Sequence, residues 1–458
     1  MNHNFDAIVV GAGQAGPSLC GRLAKAGWKV AMVERHLFGG TCVNNGCTPT
    51  KAMVASAHAA HLARRGSDFG VHAGPVSVDL RAVKARKDAI VLNGRTGVEK
   101  ALRTTENCTV FTGTASFASP TTMRVGDDVL EAPKIFLNVG ARPNVPKMTG
   151  VDSVPFLTST TILDLEELPA HLIVVGAGAV GLEFAQMFRR FGSQVTVIDK
   201  NARLAMGEDE DASRVIREVF DSEAIEVRVN ANCIHLEKRG SEVSVGMECN
   251  EGAPHITGSH VLLAVGRTPN TGDLNLAAAG LEADKHGFIP VDDQLRTAVP
   301  SVFALGDCNG RGAFTHTSYN DYEIVAQNLL DGASRRVSDR IPAHALYIDP
   351  PLGRVGMSEA EVRATGKPAL IGMRPMTRVG RAIEKGETFG YIKVLVDAET
   401  QHILGATVFG TGGDEAVHCI LTAMYARQPA SLLTHSVHIH PTVAELIPTT
   451  LEDLKPLA

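Results

Sequence analysis

Gly11-Ala12-Gly13-Gln14-Ala15-Gly16 stands between an apolar run at residues 5–10 and a helix-forming run that reaches Lys25. A second apolar run, Val30–Val33, ends at Glu34. Strand, glycine turn, helix, strand and acid are the setting in which G-x-G-x-x-G binds a dinucleotide, and the acid lies 23 positions after the first glycine (34 − 11). The glycines let backbone approach a pyrophosphate, the helix N-terminus holds the anion, and Glu34 would accept hydrogen bonds from a ribose. The pattern then returns. His171–Val175 reads as a strand, Gly176-Ala177-Gly178-Ala179-Val180-Gly181 opens a helix through Arg190, and Gln194–Ile198 ends at Asp199, again 23 after the first glycine (199 − 176). Two copies, 165 residues apart (176 − 11), predict two dinucleotides on two units of one kind.

Between the copies runs Gly39-Gly40-Thr41-Cys42-Val43-Asn44-Asn45-Gly46-Cys47-Thr48-Pro49-Thr50-Lys51. Two cysteines lie five apart in a glycine-bearing loop that leads into a helix, with Thr48 as N-cap and Pro49 as first helical residue. In a regular helix such residues are about 7.5 Å apart along the axis. A disulfide spans about 4.4–6.8 Å between Cα atoms. A bridge therefore needs non-helical backbone, which Gly46 and the two asparagines permit. Spacing alone does not exclude two separate buried thiols, the commonest state of free cysteine. The helix N-terminus and Lys51 would both favour a thiolate.

Outward from these stretches, residues 50–65 and 78–104 read as helices, with His58 and His61 on the first as surface or packing residues. Residues 107–136 read as a small meander. Ile135–Gly140 is a strand followed by Ala141-Arg142-Pro143, and Val261–Gly266 with Arg267-Thr268-Pro269-Asn270 closes the second unit in the same manner. Val302–Leu305 leads to Gly306-Asp307. From about residue 339 the character changes: strands at 391–396 and 402–409, helices at 414–427 and 443–446, no further nucleotide motif, and His438-Ile439-His440-Pro441-Thr442-Val443-Ala444-Glu445 near the end.

The totals fit. A chain of 458 residues with 44% hydrophobic content can hold several cored domains, and a net charge of −6 with one Trp gives no basis for nucleic acid or an anionic membrane as partner. The eight cysteines are scattered apart from the one pair, which argues for a catalytic pair and against a secreted disulfide framework. The apolar run at 7–33 is broken by glycines, Pro17, Arg22 and Lys25, so we expect no signal peptide; we expect no spanning helix either, and cytoplasmic localisation.

Taken together, Gly-Gly-Thr-Cys-x4-Cys-x-Pro-Thr-Lys at 39–51, both dinucleotide fingerprints, Gly306-Asp307, and His440-Pro441-Thr442 with Glu445 resemble the class I flavoprotein disulfide reductases along the whole chain. The resemblance implies an α/β protein: two Rossmann-like dinucleotide-binding domains plus a C-terminal α+β dimerisation domain. The FAD-binding domain would be residues 1–148 and 271–338, the NAD(P)-binding domain 149–270 and the interface domain 339–458, in a homodimer. It implies FAD and a nicotinamide nucleotide, with Gly11, Gly13, Gly16, Glu34, Thr41, Lys51, Gly140, Gly306, Asp307, Gly176, Gly178, Gly181, Asp199 and Gly266 as cofactor-binding residues, and no resident metal. Asp199 at the adenosine ribose favours NADH, with measurable NADPH use through Lys200 or Arg203.

By the same resemblance Cys42 and Cys47 form a redox-active disulfide, with Cys47 against the flavin and Cys42 toward the substrate. His440 is the acid–base group, Glu445 orients its imidazole, and the His-Pro-Thr segment completes the partner's site. Lys51 and Glu183 match an ion pair beside the flavin, and Asp307 matches the residue that binds its ribityl chain. Asn138 departs from the family's small residue or Thr, and Cys308 reads as packing. Asp349-Pro350-Pro351-Leu352-Gly353-Arg354-Val355-Gly356 lacks the Pro-Glu of lipoamide dehydrogenases. It looks like the mercuric-reductase-like branch that includes the reactive-chlorine-resistance flavoproteins, although the mercuric C-terminal cysteine pair and N-terminal metal domain are not expected here. The substrate would be a disulfide, an oxidant or a metal ion. Dihydrolipoamide dehydrogenase is the alternative enzyme, and a non-enzymatic nucleotide-binding redox sensor is the alternative of another class.

Overall fold

The computed structural model describes residues 1–248 and 252–457; Cys249 lies outside them. Its first five-stranded sheet is fully parallel, in the order Val302–Ala304, Ile135–Leu137, Ala7–Val10, Val30–Glu34, Cys108–Thr112. The second is also parallel, in the order Leu157–Thr158, His260–Leu263, His171–Val175, Gln194–Ile198, Glu226–Arg228. In each, the strand before the glycine turn lies at the centre and the strand order reverses beside it. Parallel sheets are covered on both faces, so their strands are apolar throughout. Ala7, Val9, Val30 and Met32 pack on the side of the helix Ala15–Lys25, while Ile8, Val10, Ala31 and Val33 pack on the other. The second sheet divides in the same way: Leu172, Val174, Val195 and Val197 face the helix Ala179–Phe191, and Ile173, Val175 and Ile198 face Val243 and Val245.

Each unit also carries an antiparallel meander before its fourth strand: 115–131 in the first, 232–258 in the second. The expected meander at 107–136 is thus shorter, because Cys108–Thr112 pairs with Val30–Glu34 in the parallel sheet. The ribbon Ala141–Pro143 with Arg267–Pro269 ties the two units together. The last sheet runs Ala343–Leu346, Leu352–Gly356, Ile403–Phe409, Tyr391–Asp397, Ala369–Pro375, Lys455–Pro456, and the helix Gly413–Tyr425 packs on it. The expected helix at 443–446 is displaced to Leu446–Glu452.

One local expectation fails at the cysteines. They do not share a loop ahead of a helix capped by Thr48. A short helix, Gly40–Asn45, ends at Gly46, and a new helix, Cys47–Arg64, starts at once. Gly46 takes φ −130° and ψ −120° and stands at the N-cap. A Cβ there would lie 2.8 Å from the Thr41 carbonyl oxygen, so the break requires glycine. Pro49 falls in the first turn, where its missing N–H has no intrahelical partner to lose. Among the described residues no helix is long and apolar enough to cross a membrane.

Candidate active site

The helix break brings the Cys42 and Cys47 thiols within hydrogen-bonding reach of one another. The bond between them, followed by the Thr315 hydroxyl and the Lys51 charge, brings the Cys47 thiol down to about 6 against the cost of burial. The same bond and burial push Cys42 up. Cys47 is therefore the thiolate of the pair near neutral pH and Cys42 its proton-bearing partner. Thr315 Oγ1 lies 3.4 Å from Cys47 Sγ, at the first turn of the helix Thr315–Leu330. Sequence reasoning missed Thr315, because no motif marks that helix and only the fold brings it to the cysteines.

Lys51 lies one turn beyond Cys47 on the same helix. Its Nζ donates to Glu183 Oε2 at 2.5 Å and sits 4.5 Å from the centre of the Tyr347 ring. The pairing follows from packing: Met53 and Ala57 share one core with Leu182 and Phe184, which presses the cysteine helix against the helix of the second unit. Glu183 is 6% exposed, and its other oxygen accepts from the Tyr347 amide at 3.1 Å. Farther along, His58 is not the surface or packing residue expected. Its Nδ1 meets Asp349 Oδ2 at 2.7 Å, and Arg190 Nη1 donates to that same oxygen at 2.5 Å. The Asp349 carboxylate is buried, which opposes ionisation, but the His58 bond and Arg190 hold its pKa well below the usual range; the bond to Asp349 raises His58. His61 does pack: burial first, then Arg190, lowers it to about 4.

The glycines of the first unit make a tight cradle. A Cβ on Gly11 would lie 2.3 Å from the Asn138 carbonyl oxygen, and one on Gly16 2.0 Å from that of Gly11. Gly13 faces Asn138 Oδ1, which its Cβ would meet at 2.9 Å, and no side chain caps the helix Ala15–Lys25. Glu34 accepts from the Ala12 and His36 amides, both at 2.8 Å. Each carboxylate oxygen keeps a second lone pair for a ribose hydroxyl. Gly140 adopts φ +65° and Gly306 φ +71°. The Gly306 amide donates to buried Asp321 at 2.8 Å. Asp307 is raised by burial and drawn back by Arg267, whose Nε is 3.6 Å away; Arg267 also donates to Thr41 Oγ1 at 3.3 Å. Neither Arg267 nor Asn138 had an assigned role in the sequence. Asn138 is buried: its Oδ1 accepts from the Gly16 amide at 3.1 Å, and its Nδ2 donates to the Leu305 carbonyl at 3.0 Å and Ser318 Oγ at 3.4 Å. Cys308 is fully buried, its thiol toward the Leu137 and Leu305 carbonyls, as a packing residue would be.

The second cradle copies the first. A Cβ on Gly176 would lie 2.4 Å from the Ala264 carbonyl oxygen, and one on Gly181 1.9 Å from that of Gly176. Asp199 accepts from the Ala177 amide at 2.6 Å and the Asn201 amide at 2.8 Å. Around Gly178 no heavy atom beyond its chain neighbours lies within 4 Å of such a Cβ, and Gly266 takes φ +99°. Arg203 is engaged within its own unit: Nη1 donates to the Glu208 carbonyl at 2.7 Å and to Ser213 Oγ at 2.5 Å. The helix N-termini of both cradles carry no side-chain cap, which fits dinucleotide pyrophosphates.

His440 stands apart. Its Nδ1 lies 2.9 Å from Glu445 Oε2, and Glu445 is fixed by exchange with Thr442, taking its amide at 3.3 Å and donating to its hydroxyl at 3.2 Å. The imidazole is 80% exposed, and among the described residues no hydrogen bond joins it to either cysteine of its own chain.

Residues 5–321 match the pyridine nucleotide-disulphide oxidoreductase family, and residues 342–451 match the family's dimerisation domain. The chain is 33% identical over 452 residues to a probable pyridine nucleotide-disulfide oxidoreductase, RclA, of Escherichia coli K12, covering 97% of this chain and 98% of that one. It is 30% identical to a dihydrolipoyl dehydrogenase of Chlamydia muridarum, covering 97% and 96%. A solved structure described as the Cu(II) complex of HOCl-induced flavoprotein disulfide reductase RclA from Escherichia coli superposes with a TM-score of 0.90 at 31% identity, covering 98% of this chain and 99% of that one.

Proposed function

The chain belongs to the pyridine nucleotide-disulphide oxidoreductases, FAD-dependent enzymes that use a pyridine nucleotide, and on that premise we propose that it carries electrons from NAD(P)H through a Cys42–Cys47 disulfide to a disulfide, oxidant or metal-ion acceptor. One observation supports this above others: the Gly46 break places the two thiols together at the start of one helix, with Thr315 Oγ1 3.4 Å from Cys47 and the Lys51–Glu183 pair one turn on. Bound FAD would pass the electron pair from the nicotinamide to the disulfide. Cys47 would hold the resulting negative charge, stabilised by the Cys42 S–H, Thr315 and Lys51. Glu183 keeps Lys51 in place. Cys42 would attack the acceptor once its proton moves to an imidazole, and His440, whose Nδ1 is held by the Glu445 carboxylate at 2.9 Å, suits that task. Its exposure, and its separation from its own cysteines, favour a homodimer in which it serves the partner's pair.

We assign the flavin unit to residues 1–148 and 271–338, the nicotinamide unit to 149–270 and the interface domain to 339–458, in a cytoplasmic enzyme. Asp199, with Arg203 committed elsewhere, favours NADH. The metal-ion acceptor class draws on the Cu(II) complex in which the similar RclA structure was solved. Steady-state NADH and NADPH oxidation across disulfides, Cu(II), Hg(II) and oxidant products such as chloramines would identify the acceptor class. Turnover that survives Cys42→Ser unchanged would overturn the disulfide route. The dihydrolipoyl dehydrogenase reading, favoured by the 30% relative, requires NAD⁺ reduction by dihydrolipoamide and is removed if there is none.

A further inference from the structure

A second pair of cysteines meets far from the first. Cys20 lies on the helix Ala15–Lys25 and Cys108 opens the edge strand Cys108–Thr112, 88 positions later. Nothing in the sequence couples them; the fold brings their sulfurs to 2.9 Å. They sit in the core that Leu23, Val30, Val98, Leu102 and Trp28 also build. Cys20 is fully buried, and Cys108 is half-buried at the rim of the sheet. A disulfide needs the sulfurs at about 2.05 Å, so they must close by only about 0.8 Å.

We propose that Cys20 and Cys108 form a second redox pair, outside the catalytic route, which a hydroperoxide converts to a disulfide that ties the first helix of the flavin unit to the edge of its sheet. Cys108 is the entry sulfur, because it is the accessible one of the pair and Cys20 is fully buried. The Cys108 thiolate attacks one peroxide oxygen. The O–O bond breaks, the leaving alkoxide takes a proton and departs as the alcohol (water, for hydrogen peroxide), and Cys108 becomes a sulfenic acid. The Cys20 sulfur then displaces hydroxide, which leaves as water with the Cys20 proton. The two sulfurs together lose two electrons and two protons, and the peroxide gains them. The buried Cys20 thus serves as the resolving thiol, protecting Cys108 from further oxidation. Closing an 88-residue loop restricts the unfolded chain and raises the melting temperature, by roughly 5 °C.

The test uses folded, flavin-loaded protein treated with hydrogen peroxide, quenched with catalase, then unfolded in guanidinium with N-ethylmaleimide and digested with trypsin. The expected product joins peptides 1–22 and 104–124 through one disulfide that dithiothreitol cleaves, while exposed Cys233 remains alkylated as a thiol. Cys108→Ser should lose the cross-link and the rise in melting temperature, yet turn over NAD(P)H as the wild type does. Separate alkylation of Cys20 and Cys108, or a sulfinic acid at Cys108 beside an intact Cys20 thiol, overturns the pairing. An unchanged melting temperature in a fully cross-linked sample overturns the tie.

Discussion

The two nucleotide cradles share strand order at their centres, the 23-residue spacing from glycine to acid, and the same two glycine–carbonyl approaches, yet they differ at the position after the fourth strand. In the first unit it is Asn138, whose amide group binds the glycine turn, the Leu305 carbonyl and the helix Thr315–Leu330 at once. In the second it is Ala264, which has no side-chain group to give, and the space over Gly178 is open. The outer strand differs too. The first sheet takes Val302–Ala304 from beyond the second unit, whereas the second takes Leu157–Thr158 from just ahead of its own fingerprint. One cradle is therefore closed by distant chain and a buried amide, and the other stays a local, open crevice. That contrast suits a resident cofactor in the first and a nucleotide that enters and leaves in the second.

The largest effect should fall outside both cradles. His440→Ala should slow the dithiol–acceptor half-reaction by roughly 10²–10⁴-fold, the usual worth of a general acid–base, and leave reduction by NAD(P)H nearly intact. Stopped flow separates the two; equal slowing would place His440 elsewhere. Next, Asn138→Ala leaves the buried Gly16 amide without its partner, at about 1–3 kcal/mol, or a ~5–150-fold weaker hold on FAD if the loss falls on the cradle. Fluorescence of released flavin after dilution measures it. Gly13→Ala should act in the same direction by crowding Asn138 Oδ1, while Gly178→Ala should preserve the fold and raise KM for NAD(P)H alone. Similar flavin loss in both glycine variants would erase the contrast. A smaller effect concerns pH. In the reduced enzyme Cys47 should become a thiolate as pH rises through about 6, and the long-wavelength absorbance it gives beside the flavin should grow over the same range. Thr315→Val, which removes one hydrogen-bonding hydroxyl, should move that midpoint upward; a downward move would exclude a stabilising contact.

What could be read beforehand was whatever repeats locally. Each fingerprint binds its own neighbours, with Glu34 and Asp199 both turned to the amide of the fingerprint's second residue, so periodicity and spacing reveal it. Cys42, Cys47 and Lys51 are close in sequence and could be found together. Thr315 and Tyr347 could not, because each reaches the site through tertiary packing and carries no local pattern; Arg267 lies in a motif that could be read, but its partners Asp307 and Thr41 are distant in sequence. The N-cap at Thr48 was misplaced for a related reason. Ser, Thr, Asn and Asp favour caps through their side chains, but the close approach of Thr41 to Gly46 fixes the break two residues earlier, and that contact belongs to a second helix with no strong start signal. His58 looked like a surface residue because its partner Asp349 is 291 positions away.

Nucleotide choice should show the smallest change and bears directly on the open cradle. Asp199 is held by the Ala177 and Asn201 amides, which fixes its carboxylate at the end of the second strand without exhausting its lone pairs. There it can accept from the 2′-hydroxyl of NADH and repel the 2′-phosphate of NADPH. Arg203, the side chain best able to offset that repulsion, is spent on Ser213 and the Glu208 carbonyl. Exposed Lys200 is what remains close in sequence, and a screened surface contact of that kind contributes about 1 kcal/mol or less. NADH should therefore be preferred, with NADPH still used, and Asp199→Ala should narrow the preference by no more than about tenfold, since removing one hydrogen-bonding carboxylate is worth ~1.5 kcal/mol. The ratio of kcat/KM for the two nucleotides at fixed ionic strength measures this. A wild type that favours NADPH tenfold would mean that the carboxylate does not face the ribose and that Arg203 leaves Ser213 when the nucleotide binds.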